Sequence, residues 1–76
     1  MKVKVVYLAR LSEDIKKSEE YVDIKDGTKI SGLYDFLGLG AYGYDIFAAQ
    51  NAVHASFDSI IRDNDEIAFF PTITGG

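Results

Sequence analysis

The feature that most constrains this chain is that it is short, at 76 residues, and contains no cysteine. A chain of this size can build one core only, and domains this small commonly lean on disulfides or a thiolate-bound metal, neither of which is open to it. Stability has to come from apolar side chains packed in a single unit. The composition allows this: 47% of residues are hydrophobic and 26% are charged, a globular balance far from that of disordered chains. Five Tyr and five Phe supply large areas for burial. The missing thiol also excludes a cysteine nucleophile and leaves the compartment open, with a reducing cytoplasm as the natural default.

Lys2 and Lys4 interrupt the apolar residues at the start, where a signal peptide needs an unbroken apolar core. No apolar run approaches the roughly 20 residues that span a bilayer. Net charge is −4 and the eight basic residues are scattered, which disfavours binding to a phosphate backbone. Neither nucleic acid nor a membrane is an expected partner.

Lys2 to Leu8 alternates in the manner of a strand with one face more buried than the other. Ala9 to Glu19 reads as a polar loop with room for one helical turn and Ile15 as its lone apolar anchor. Tyr21, Val22 and Ile24 make a second short strand, closed by Asp26-Gly27, a turn pair because Gly accepts positive φ. Thr28 is the expected N-cap of one amphipathic helix carrying Ile30, Leu33, Tyr34 and Leu37 on a single face, with Gly38 and Gly40 to stop it.

A glycine-interrupted loop over Gly40 to Gly43 follows, then a strand over Ile46 to Gln50, a turn at Asn51-Ala52 and a short segment from Val53 to Phe57. Asp58 to Asp65 reads as loop, with Ile60 and Ile61 both needing burial. Glu66 to Phe70 is the last strand, and Pro71, having no amide hydrogen, ends its regular pairing. This order is α+β rather than alternating α/β. The connection through the helix favours the first and last strands lying parallel and central with the helix across one face, which is the β-grasp arrangement.

The segment Ile61-Arg62-Asp63-Asn64-Asp65-Glu66-Ile67-Ala68-Phe69-Phe70-Pro71, followed by Gly75-Gly76, resembles the ending of the MoaD and ThiS type of sulfur carriers, relatives of ubiquitin. The Phe-Phe-Pro part is most like the small subunit of molybdopterin synthase. Fainter echoes are Ala9-Arg10 after the first strand, the helix from Ile30 to Leu37, and Gln50-Asn51-Ala52 before a hairpin turn. Asn64 stands where the family usually has Gly and Thr72 where a second Pro is common. Asn still tolerates the left-handed conformation that such a turn needs.

The resemblance implies a β-grasp domain over residues 1–71 and a flexible tail over residues 72–76. It also implies that the working group is the carboxylate of Gly76, adenylated with ATP by a MoeB/ThiF-type adenylyltransferase and then converted by a sulfur donor to a thiocarboxylate. The sulfur would pass to a pterin precursor on a larger, MoaE-type subunit in molybdenum cofactor biosynthesis. The chain would act as a carrier subunit without catalysis of its own and would bind no cofactor itself. Alternatives in the same frame are sulfur delivery to thiazole, to a tungsten cofactor or to tRNA, or protein modification through an isopeptide bond from Gly76 to lysine.

Five residues after Pro71, fully extended, reach roughly 17 Å, enough to thread a buried site on a partner. Gly75 and Gly76 would pass a narrow channel, with Thr72 and Ile73 along its wall. Phe69, Phe70, Pro71, Thr72 and Ile73 are therefore the candidate partner-binding residues, within an apolar patch expected on the exposed sheet face. Phe69 and Phe70 point to opposite faces of a strand, so one is core and the other is covered by a loop or offered to a partner.

His54, the one histidine, has no companions at ligand spacing and reads as a hairpin residue. Asp63, Asp65 and Glu66 read as turn-stabilising rather than catalytic or metal-binding. Tyr42, Tyr44 and Phe47 could be core or patch. No Gly-rich phosphate loop is present.

Overall fold

The structure is a computed structural model and describes residues 1–71. In chain order the elements are β1 (Lys2–Tyr7), α1 (Arg10–Ile15), β2 (Glu19–Asp23), α2 (Ile30–Phe36), a 3-10 turn (Leu39–Tyr42), β3 (Ile46–Gln50), β4 (Val53–Ala55) and β5 (Glu66–Pro71). The five strands form one sheet in the order β2-β1-β5-β3-β4. β1 and β5 run parallel and every other pair is antiparallel. This is the β-grasp arrangement expected from the order of elements. The expected tail over residues 72–76 lies outside the described residues.

The alternation in β1 does what a strand period of two requires. Val3, Val5 and Tyr7 are buried on the side that faces α2, and Lys2 and Lys4 stand on the other. Ile67 and Phe69 of β5, and Ile46 and Ala48 of β3, continue the same buried layer. From α2 come Ile30 and Leu33, both fully buried, with Tyr34 and Leu37 packed at the margin. Burying a side chain such as Leu33 is worth on the order of 2 kcal/mol. Ile61 and Leu39 close the ends of the layer.

Four local expectations are corrected. The segment after β1 contains a helix, and its anchor is Leu11, fully buried, whereas Ile15 is only partly covered. Lys29, not Thr28, is the N-cap of α2, and it makes no side-chain cap bond. Thr28 Oγ1 instead donates back to the Lys25 carbonyl at 2.7 Å, closing the turn at Asp26-Gly27 where Gly27 has φ 85°. The stretch after α2 is wound as a 3-10 turn rather than an open loop. Of the isoleucine pair only Ile61 is buried, and Ile60 is 52% exposed.

Pro71 sits at the end of β5 opposite Ile46, so the strand includes it. Among the described residues no helix is long and apolar enough to cross a membrane.

Candidate functional site

Strand β5 is held on both sides, by β1 and by β3, and its two ends differ in chemistry. At its start lies a hydrogen-bonded hub on Asp65. The carboxylate is buried and accepts from Gln50 Nε2 at 2.7 Å, Asn51 Nδ2 at 2.9 Å and the Arg62 amide at 2.8 Å. Burial alone would raise this carboxyl, but the bonds from Asn51, the Arg62 amide and Gln50 outweigh it and hold it below its ordinary value.

Asn51 completes the lock, its Oδ1 accepting from the Glu66 amide at 2.9 Å and its own amide donating to the Glu66 carbonyl at 2.8 Å. Gln50 Oε1 accepts from Ser59 Oγ at 2.6 Å. Asp63 Oδ1 accepts from the Lys2 amide at 3.0 Å, and Asn64 takes the left-handed conformation at φ 69°. The acidic turn is therefore structural, as its composition implied. Two segments that carried the sequence resemblance, Gln50-Asn51-Ala52 and Asp63-Asn64-Asp65-Glu66, are the two halves of one hub.

At the other end, β5 turns Phe69 inward and Phe70 outward. Phe69 is fully buried, its ring 6.4 Å from those of Tyr34 and Phe57, so it belongs to the core and is withdrawn from the partner-binding set. Phe70 is half-buried on the outer sheet face. Its ring centroid is 6.1 Å from Phe47 and 6.2 Å from His54, and Phe47 and His54 are 5.7 Å apart, all edge-on. Beside them Ala68 pairs with Val6 on one side and Ala49 on the other, so small residues flatten the face. Phe47 and Leu8 are each 44% exposed.

The apolar area ends toward the start of β5, where Lys4 Nζ lies 3.7 Å from Glu19 and 3.8 Å from Glu66. The outer face is thus aromatic at the exit of β5 and ionic at its entry. Such a charge-rimmed apolar surface suits docking to another protein.

From the sequence Phe47 was open to either core or patch and His54 was read as a hairpin residue, although the signal for both was there. Alternation from buried Ile46 turns Phe47 outward, and the two-residue turn at Asn51-Ala52 sets His54 across from Ala49. The aromatic cluster of the sequence divides. Tyr44 turns to α1, its hydroxyl donating to Asp14 at 2.7 Å beneath the Arg10 guanidinium, 4.8 Å from the ring centroid. Burial and the Asp14 bond push the Tyr44 hydroxyl up to about 12, so it remains a donor at neutral pH.

No group of three or more His, Cys, Asp and Glu that could hold a metal occurs among the described residues. A cleft of about 770 Å³ runs along the hub between Gln50, His54, Ser59 and Arg62. Its buried polar atoms are already committed to one another, and none among the described residues is without a partner. Pro71 is the last described candidate; Thr72, Ile73, Gly75 and Gly76 lie outside the described residues.

The whole chain is 29% identical over 82 aligned positions to the molybdopterin synthase sulfur carrier subunit of Mycobacterium tuberculosis, covering 100% of this chain and 99% of that one. The same subunit from Escherichia coli is 52% identical over 31 residues, a stretch covering 41% of this chain and 38% of the relative. Among solved structures, small archaeal modifier protein SAMP1 of Haloferax volcanii superposes with a TM-score of 0.84 at 20% identity over 100% of both chains. A chain from the complex of molybdopterin-converting factor subunits 1 and 2 of Helicobacter pylori gives 0.69 at 21% identity, again over 100% of both. At those identities the structural likeness establishes the ubiquitin-like β-grasp fold. The ThiS family model matches residues 5–76, taking in the second half of β1, the hub and all of β5, and the chain accordingly belongs to the ThiS family.

Proposed function

We propose that this protein is a sulfur carrier that docks its partners through the outer face of the sheet and delivers sulfur on the carboxyl group of Gly76. The observation that carries the reading is the aromatic surface of Phe47, His54 and Phe70 at the exit of β5, where the sequence continues through Pro71 to Thr74 into Gly75-Gly76. Family membership and the name of the relative matched along its whole length support it.

A C-terminal carboxylate, with an ordinary pKa of about 3.5, is an anion at neutral pH and a poor acceptor for a nucleophile. A MoeB/ThiF-type adenylyltransferase would supply ATP. Attack of the carboxylate on the α-phosphate of ATP releases pyrophosphate, and a sulfide-level sulfur nucleophile from a donor then displaces AMP from the acyl carbon, losing its proton, to leave the thiocarboxylate. The acceptor would be a pterin precursor on a larger, MoaE-type subunit; the Helicobacter pylori neighbour is itself found in a complex with a second subunit. The likeness to a small archaeal modifier protein supports one further reading, transfer of Gly76 to lysines.

The test is intact mass of the protein isolated from its native cell, where replacement of one C-terminal oxygen by sulfur is expected. A Gly-Gly remnant on lysines of other proteins, without the sulfur form, points to the modifier. Deleting Gly76 is expected to abolish ATP-dependent adenylation by the cognate enzyme with an unchanged thermal melt. Normal sulfur transfer by that variant would falsify the carrier reading.

A further inference from the structure

The sheet has two edges, and they are not equivalent. β4 is three residues long, and a short edge is one of the usual guards against pairing with another chain. β2 spans five residues without proline. Its even-numbered neighbours spend their backbone groups on β1, as the Tyr7 amide donates to the Ser18 carbonyl at 2.8 Å and the Ile24 amide donates to the Met1 carbonyl at 2.9 Å. By the same parity Glu19, Tyr21 and Asp23 turn their amides and carbonyls outward, and no strand among the described residues meets them.

Beside this open edge, between β2 and α2, lies a groove of about 610 Å³ lined by Asp23, Ile24, Lys25, Thr28, Gly32 and Phe36. Phe36 is 67% exposed there, a large ring left uncovered by its own domain. Gly32, one turn earlier on α2, keeps the floor open; a Cβ at that position would come within 3.2 Å of Thr28 Cγ2.

Charge narrows the occupant. The outer-face side chains of the edge are Glu19, Tyr21 and Asp23, and Asp23 is in no ion pair among the described residues. A second copy adding antiparallel about Tyr21 would set Glu19 of one copy against Asp23 of the other, and like charges directly opposite destabilise a strand pair. The complement is a strand with basic residues opposite those carboxylates and apolar residues on the alternate positions, which face the groove. β1 already satisfies the inner edge in this way, with Lys2 opposite Asp23, Lys4 opposite Tyr21, and Val3 and Val5 turned to the core.

We propose that the open edge of β2 and the adjoining Phe36 groove bind an extended segment of a partner protein that alternates basic and apolar residues, adding it to the sheet as a further strand. This surface lies across the sheet from the aromatic patch on β3, β4 and β5, so both can be occupied at once.

The experiment is a titration of the full ¹⁵N-labelled chain with a blocked synthetic peptide alternating Lys and Val, compared with one alternating Glu and Val. Amide shifts are expected at Tyr21, Asp23, Gly32 and Phe36, with the acidic peptide at least about tenfold weaker. Phe36→Ala, at a largely exposed position, is expected to keep its melting temperature and lose about tenfold in affinity. Asp23→Lys is expected to reverse the preference between the peptides. Shifts confined to Phe47, His54 and Phe70, equal binding of both peptides, or full affinity in Phe36→Ala would each overturn the proposal. So would β2 amide shifts on concentrating the protein alone, which would make a second copy the occupant.

Discussion

The two ends of β5 divide the labour of the molecule. At its entry the buried Asp65 gathers Gln50, Asn51 and the Arg62 amide into a partly buried network whose buried side-chain polar atoms are all satisfied. At its exit Phe70, Phe47 and His54 leave aromatic edges in solvent. Satisfied polar groups in a low-dielectric setting hold a register firmly, because breaking one strands its partners. Exposed rings on a flat face hold nothing of their own domain so firmly. A single strand can thus be fixed at one end and presented at the other.

The division is tested most severely by the two adjacent phenylalanines. Phe69→Ala opens a cavity in the middle of the core and is expected to cost about 3–5 kcal/mol by chemical denaturation, enough to unfold much of so small a domain. Phe70→Ala is expected to cost less than about 1 kcal/mol. Similar losses at the two positions would show that the exit of β5 is part of the core after all.

Asp65→Ala comes next, at about 1–3 kcal/mol, because it removes the buried acceptor shared by Gln50, Asn51 and the Arg62 amide. Its pH dependence has a definite sign. The folded carboxyl titrates below its ordinary value, so the stabilisation is complete above the unfolded value of about 4 and is lost as pH falls through the folded one. Melting temperature against pH is therefore expected to fall more steeply on the acid side in the parent than in Asp65→Asn. Parallel curves would remove the hub from the account of stability.

Phe70→Asp is the functional counterpart. It is expected to lower kcat/KM for adenylation by the activating partner about tenfold, equivalent to about 1.4 kcal/mol, with the melt unchanged. An unaltered rate would move the docking face elsewhere. The smallest effect is expected at the ionic rim. Lys4→Met removes the bridges to Glu19 and Glu66, and partly exposed pairs of that kind contribute about 0–1 kcal/mol. Added salt should erase even that difference.

Much of this was legible in the residues. Alternation placed β1, and the expected bounds of β3 and β5 lie close to those observed, with β3 matching at both ends. Asp26-Gly27 announced its turn, and the Phe-Phe step announced that one ring would be buried and the other not. The misread positions share one cause, which is that local preference was asked to settle a tertiary matter. Thr28 is a good cap by type, but its hydroxyl found the Lys25 carbonyl first. Ile60 and Ile61 are equally apolar, and the antiparallel bridge of Ile60 with Lys29 leaves only Ile61 turned to the core. Leu11 looked like one residue of a polar loop until α1 was laid against the sheet.

By itself, then, the sequence determined the order of the strands and of the main helix α2, the parallel pairing of β1 with β5, and the likeness to the ThiS family, because hydrophobic period, turn chemistry and a contiguous motif are all written along the chain. Only the tertiary structure decided which residues meet from far apart: that Gln50 and Asn51 would close on Asp65, that His54 would join Phe47 and Phe70, and that β2 would be left with an open edge. Those outcomes depend on sheet order and strand register, which arise when strands distant in sequence are brought side by side and carry no local signature.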